Sequence, residues 1–244
     1  MRGNTNINKN GSTSKNLLKE EKEIFIQLRE AYNSISNSYL RLKRQPWKQF
    51  EQLINRLLNE HLDSYGGALL DAGCGNGRNL SIFDGFSSKI GIDPIENLVI
   101  QVPKYNGIPV LGSITHVPFK KNSFELIISV AVIHHFKHQK TRQMVIHELL
   151  ELLKTNGLLI ITVWKRDRPG KIGDVILKLV QGENSQDEYL PWKNTSGEII
   201  ANRYYHYFTR HDFKELLSPF QKHVVEWGTF GGKIKQNFYA VFRK

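Results

Sequence analysis

One stretch decides the fold: Leu69-Leu70-Asp71-Ala72-Gly73-Cys74-Gly75-Asn76-Gly77-Arg78. A short apolar run ends in an acid, and three alternating glycines follow. Glycines at such a turn let backbone amides and a ligand approach closely, where side chains would stand in the way. Dinucleotide-binding turns use the spacing G-x-G-x-x-G, with a pyrophosphate on the following helix N-terminus. Here the spacing is G-x-G-x-G, and Asp71 beside it disfavours a pyrophosphate and suits a cationic amino group. The next apolar run ends in Gly91-Ile92-Asp93, and an acid at that point can accept both hydroxyls of a ribose. An amino acid, a ribose and no phosphate describe S-adenosylmethionine.

Outward from this stretch, short apolar runs alternate with helical ones. Ala68–Ala72, Lys89–Asp93, Pro109–Gly112, Glu125–Val132 and Leu158–Trp164 read as strands. Gln139–Lys154 reads as a helix, with Met144, Ile146, Leu149, Leu150 and Leu153 on its apolar face. Such alternation predicts an α/β fold whose mostly parallel sheet is covered by helices on both faces. Before it, residues 1–15 read as a disordered tail and 16–66 as a helical extension. In that extension Leu28, Tyr32, Ile35, Tyr39 and Leu42 recur at helical steps, and Pro46 opens a second helix. The α/β domain spans 67–244, with 165–208 as an insertion containing a short helix near Ile172–Val180. Arg210–Leu217 reads as a helix. His223–Phe230 and Gln236–Phe242 form a hairpin through Gly231-Gly232-Lys233, which predicts an antiparallel C-terminal strand.

Composition narrows the class. The chain has 244 residues and a net charge of +11, and its single cysteine, Cys74, excludes an internal disulfide and cysteine-cluster metal sites. No apolar run approaches the roughly 18 residues of a membrane span, and no secretory signal is recognisable. A soluble cytoplasmic protein is the expectation. The positive excess lies in residues 1–61 and 165–244 and spares the middle, a pattern that suits a polyanionic partner. Polar residues at the end of the fourth strand, Ser129 through His134-His135-Phe136, face the crevice where such sheets bind ligands. If the strand continued, its two histidines would point opposite ways, so at most one is expected to face an acceptor. No further ligands stand at zinc-binding spacing, so no metal is expected.

These motifs resemble the seven-stranded, Rossmann-like S-adenosylmethionine-dependent methyltransferases. The resemblance places Asp71, Gly73 and Gly75 at the methionine end of the cofactor, Asp93 at the ribose and Ser129 in the crevice. Ser113 takes the place where that family commonly has an acid for the adenine. Four further segments are similar to the tRNA wobble carboxymethyluridine methyltransferases: Ala31–Ile35 through Pro46-Trp47, Ser129–Phe136, Val163-Trp164, and Tyr189–Trp192 with Arg203–Phe208. That family esterifies the carboxylate of 5-carboxymethyluridine in the anticodon. The resemblance implies catalytic roles for His134, His135, Arg203, Tyr204 and His206, and acceptor contacts from Lys43, Arg44, Trp47, Trp164 and Trp192. Where the family usually carries an arginine before the tryptophan of the extension, this chain has Lys43 followed by Arg44. The resemblance also implies a tRNA anticodon stem-loop as substrate and a small zinc-binding activator docked on the sheet edge beside Pro109–Gly112. Methyl transfer to a small acid or quinone, or a non-catalytic cofactor- or RNA-binding subunit, are the alternatives.

Overall fold

The computed structural model describes residues 9–62, 66–166, 186–232 and 236–244. Seven strands form the main sheet: β1 (Ala68–Ala72), β2 (Ser88–Asp93), β3 (Ile108–Leu111), β4 (Phe124–Val130), β5 (Leu153–Trp164), β8 (Val224–Gly231) and β9 (Gln236–Arg243). Their order is β3-β2-β1-β4-β5-β9-β8. Strands β1 to β5 pair in parallel, and β9 runs antiparallel to both β5 and β8. The hairpin of β6 (Asp187–Lys193) and β7 (Ile199–His206) forms a second, separate sheet.

The central strands are nearly continuous apolar runs because both of their faces are covered. Alternate side chains point opposite ways. Leu70, Ile127, Leu159, Ile161 and Ala240 pack with α4 (Gln139–Leu152) and α5 (Arg210–Leu217), through residues such as Val145, Leu149 and Phe213. Leu69, Leu126, Ile128, Leu158, Ile160 and Val241 pack on the other face with Phe50, Ile54 and Leu57 of α2 (Lys48–His61). A reciprocal capping box between Thr209 and Asp212 fixes the start of α5. An ion network ties α2 to the sheet: Arg56 Nη2 lies 2.7 Å from Glu226 Oε1 and donates to Tyr239 Oη at 2.9 Å. The hydrogen bonds from Arg56, with smaller help from Tyr239 and His61, hold the Glu226 carboxyl down at about 2.

Several sequence expectations shift. The extension is helical from Lys9, as α1 (Lys9–Leu42). Once a helix is nucleated, each added residue gains a hydrogen bond, so polar residues expected in the tail join it. Leu42, expected on the apolar face, is 64% exposed at the end of α1. On α4, Arg142 and Val145 take inward positions while Met144 faces out. Residues 153–154 belong to β5, not to that helix. Strand β4 stops at Val130 because Ala131 adopts a left-handed φ of 60°, and Ile133–His135 is a 3-10 turn. The helix expected near 172–180, with Arg168 and Lys171, lies outside the described residues, as does Lys233 of the hairpin turn. Among the described residues no helix is long and apolar enough to cross a membrane.

Candidate active site

Strand order reverses between β1 and β4, which opens a crevice at the carboxyl ends of those strands. The N–H groups of Gly73 and Cys74 both donate to the Ile92 carbonyl, at 2.9 and 3.0 Å, and fold the chain over the end of β2. Gly73 has φ 84°, and a Cβ there would stand 2.5 Å from Val132 Cγ2. Gly75, at φ 56°, donates its N–H to Asp93 Oδ2 at 2.8 Å, while Ile95 N–H reaches Oδ1 at 2.9 Å. Burial raises the Asp93 carboxyl to about 6, against the pull of these two amides.

Asp71 is fully buried, and neither of its carboxylate oxygens has a hydrogen-bond partner among the described residues. Burial lifts its pKa to about 7, opposed by Arg78 and reinforced by Asp93. A buried carboxylate is costly unless a cation or donors meet it. The amino group of S-adenosylmethionine would be that cation. The remaining lone pairs of Asp93 would receive ribose hydroxyls. The residues present therefore fit the cofactor.

A cavity of about 260 Å³ runs from Gly73, Gly75 and Asp93 to Arg203 and both histidines. Helix α1 forms part of its wall with Tyr32 and Tyr39, and Lys43, just past its end, adds to it. Tyr39 Oη accepts a hydrogen bond from Arg78 Nη1 at 3.0 Å, which joins this helix to the turn after the glycines. At the far end Arg203 is 9% exposed, and its guanidinium lies 4.9 Å from the centre of the Trp192 ring, 5.3 Å from Tyr205 and 5.6 Å from Tyr32. No carboxylate among the described residues forms an ion pair with it, and its Nε has no partner. The neighbouring rings stabilise the cation without supplying the negative charge its N–H edge is shaped to take.

The two histidines differ in tautomer. His134 Nδ1 accepts the Trp164 N–H at 3.3 Å, so a neutral ring carries its proton on Nε2. That Nε2 is buried and has no partner among the described residues. His135 Nδ1 instead donates to the Tyr204 carbonyl at 2.9 Å, and its Nε2 faces Tyr32 Oη at 3.5 Å. Burial holds His135 down at about 4 and His134 well below the usual imidazole range, so both are neutral at pH 7. Tyr205, stacked on Trp164 at 4.4 Å, pairs its hydroxyl with Tyr32 Oη at 3.3 Å.

Of the residues singled out by sequence, Lys43, Trp47, Gly73, Gly75, Asp93, Ser113, His134, His135, Trp164, Trp192 and Arg203 line the one cavity. Both histidines do so, because the 3-10 turn replaces the strand that would have separated them. Ser129 does not reach it: its buried hydroxyl donates to the Ala72 carbonyl at 3.0 Å and latches β4 to β1. Tyr204 and His206 face away, since alternate residues of β7 point opposite ways. His206 Nδ1 pairs with Asp187 at 2.7 Å, and the Tyr204 ring packs edge-on against Tyr189. Arg44 is exposed at the end of the α1–α2 corner. Sequence reading overlooked Tyr32, Tyr39 and Tyr205 as wall residues. Tyr205 was recoverable from period-two spacing with Arg203, whereas the tyrosines of α1 resemble ordinary core positions.

Residues 70–161 match the family described as a methyltransferase domain. The chain is 26% identical over 212 residues to a tRNA (carboxymethyluridine(34)-5-O)-methyltransferase of Schizosaccharomyces pombe, across 82% of this chain and 90% of that protein. A protein of the same name from Arabidopsis thaliana is 34% identical over 104 residues, 42% of this chain and 25% of the other. Among solved structures, the 1,6-didemethyltoxoflavin-N1-methyltransferase of Burkholderia thailandensis, with bound S-adenosylhomocysteine, superposes with a TM-score of 0.62. It is 17% identical, and the match covers 92% of this chain and 90% of that one. The magnesium protoporphyrin IX methyltransferase of Synechocystis gives 0.58 at 16% identity, over 88% and 97%. At such identities the likeness is one of fold. The chain thus carries a methyltransferase domain on the seven-stranded fold of S-adenosylmethionine-dependent methyltransferases, and over most of its length it is similar in sequence to a tRNA carboxymethyluridine methyltransferase.

Proposed function

We propose that this chain esterifies the carboxylate of 5-carboxymethyluridine at the wobble position of tRNA, in the cytoplasm. The observation that carries this reading is Arg203, a buried guanidinium without an acidic partner among the described residues, on the cavity that starts at the glycine turn. Trp192, Tyr205 and Tyr32 surround it, and its in-plane N–H groups have the fork geometry that grips a carboxylate. The names of the relatives in Schizosaccharomyces pombe and Arabidopsis thaliana point to the same acceptor.

S-adenosylmethionine, when bound, supplies a methyl group on a sulfonium that is its own leaving group. A carboxymethyl group ionises near pH 4, as side-chain carboxyls do, so its oxygen is nucleophilic at neutral pH. No side chain has to remove a proton, in keeping with two histidines whose burial holds them neutral and makes them poor bases. Their work is positional. Arg203 and the His134 Nε2–H hold one carboxylate oxygen, replacing the water that the acceptor loses on entry. The other oxygen is left free to react. His135 bridges β7 to α1 through the Tyr204 carbonyl and Tyr32, so it shapes the wall without gripping the acceptor. Lys43, Trp47 and Trp192 border the uridine, and Ser113 borders the adenine.

A small zinc-binding activator belongs to the same reading. Strand β3 is an edge of the sheet, and Ile108 and Leu111 on it are 54% and 56% exposed. An added strand or an apolar partner face would cover them. The test is methyl transfer from labelled S-adenosylmethionine to tRNA lacking the wobble ester, with the candidate activator supplied and nucleosides read by mass spectrometry. A base-labile methyl ester on 5-carboxymethyluridine is the expected product. No incorporation by a folded, cofactor-binding complex would overturn the proposal.

A further inference from the structure

Resting on the tRNA reading above, we infer that the corner between α1 and α2 binds the RNA backbone beside the nucleotide held in the cavity. Lys43 and Trp47 line the cavity, and Arg41, Arg44 and Lys48, interleaved with them, are exposed. None of these three forms an ion pair among the described residues. Between residues 41 and 55, Glu51 is the single acid.

The corner is built to hold its shape. The Lys43 N–H closes the end of α1 on the Tyr39 carbonyl at 2.8 Å. Asn76, buried in the glycine turn, donates Nδ2–H to the Lys43 carbonyl at 2.8 Å, and Tyr105 Oη donates to the Arg44 carbonyl at 3.0 Å. Lys104, exposed beside Tyr105, extends the positive surface. A merely solvated charged face has no need of such fixing. Two side chains from the cofactor side of the sheet spend hydrogen bonds on keeping this cationic corner at the cavity mouth.

A small acceptor has no charge to offer cations that stay outside the cavity, whereas a nucleotide chain does. Phosphate contacts fix register and orientation while the pocket reads the base, and arginine forks suit phosphate oxygens. Arg44, next in sequence to a cavity residue yet outside the cavity, thereby acquires a role on the flanking phosphates and not on the acceptor carboxylate.

The experiment titrates the full chain with an anticodon stem-loop RNA across a range of KCl concentrations. Losing three phosphate contacts to a single strand makes the negative slope of log affinity against log salt shallower by about 2. The Arg41→Ala/Arg44→Ala/Lys48→Ala variant is expected to show that loss, with affinity about tenfold weaker near physiological salt. Its affinity for S-adenosylmethionine should match the wild type and so report an intact fold. The Arg41→Lys/Arg44→Lys variant should keep the wild-type slope, because it keeps the charge. Wild-type slope and affinity in the triple alanine variant would overturn the inference, as would a wild-type chain that does not bind the RNA. Salt-dependent binding through this corner without methyl transfer would refute the reaction assigned above and leave the surface standing.

Discussion

At the cofactor end of the cavity, the lining residues come from Gly73 to Gly75 together with Asp93 on the neighbouring strand, and Asp71 is buried at the end of β1. At the acceptor end they come from α1, the 133–135 turn, the end of β5 and β7, elements separated by up to 173 residues between Tyr32 and Tyr205. The first end is built largely from backbone conformation: two left-handed glycines, amides turned onto Ile92 and Asp93, and one buried carboxylate. The second is built from side chains that satisfy one another, leaving, among the described residues, a guanidinium with no acidic partner and one imidazole N–H. A backbone-made site tolerates many acceptors, because nothing in it touches them. Specificity therefore rests on the side-chain end.

The largest effect expected is at Arg203. Arg203→Ala should lower kcat/KM for tRNA by about a thousandfold, in the range seen when a preorganised charge-stabilising donor is removed. S-adenosylmethionine affinity, measured by calorimetry on the same preparation, should stay within about twofold. A matching loss of cofactor binding would erase the division between the two ends. The histidines sharpen it. His134→Ala removes a donor that is free to meet the acceptor and should cost about a hundredfold in kcat. His135→Ala loosens β7 and α1, so its loss should show mainly in KM and thermal stability.

A smaller effect belongs to the cofactor end and depends on pH. Because burial raises Asp71 to about 7 in the folded chain, the group is partly protonated below that pH and cannot serve a cationic amino group. Cofactor affinity should rise as pH climbs from 6 to about 7.5, and the stabilisation that the cofactor confers should rise with it. Asp71→Asn should bind about tenfold more weakly at pH 7.5 and show no such rise. The smallest effect lies outside both ends. Glu226 is held at about 2 by Arg56, so its contribution to stability is complete above its unfolded value near 4.5 and is lost as pH falls toward 2. Glu226→Gln should cost about 1 kcal/mol in denaturant unfolding at pH 7 while leaving kcat unchanged.

The same contrast explains what was legible in sequence. Strand β1, its glycine turn and Asp93 are local patterns, each set by a few adjacent residues. Strands β2, β3, β8 and β9 and helix α5 followed to within a residue or two for the same reason. The end of β4 departs from its sequence pattern because Ala131 carries a left-handed φ that the sequence does not announce. That single torsion brings both histidines to the cavity. Tyr32 and Tyr39 follow the helical period of a buried face, and only the position of α1 over the crevice makes that face a cavity wall. Tyr204, Tyr205 and His206 are adjacent in one motif, but the pleat of β7 sends Tyr205 inward and the other two away.

The most direct test of the central claim is a crystal structure of the chain with S-adenosylhomocysteine and the nucleoside 5-carboxymethyluridine. The account predicts one carboxylate oxygen within about 3 Å of both the Arg203 guanidinium and His134 Nε2, with the other oxygen turned toward the sulfur. A carboxylate bound to His135 or Lys43, or left in solvent with Arg203 still unpaired, would contradict it.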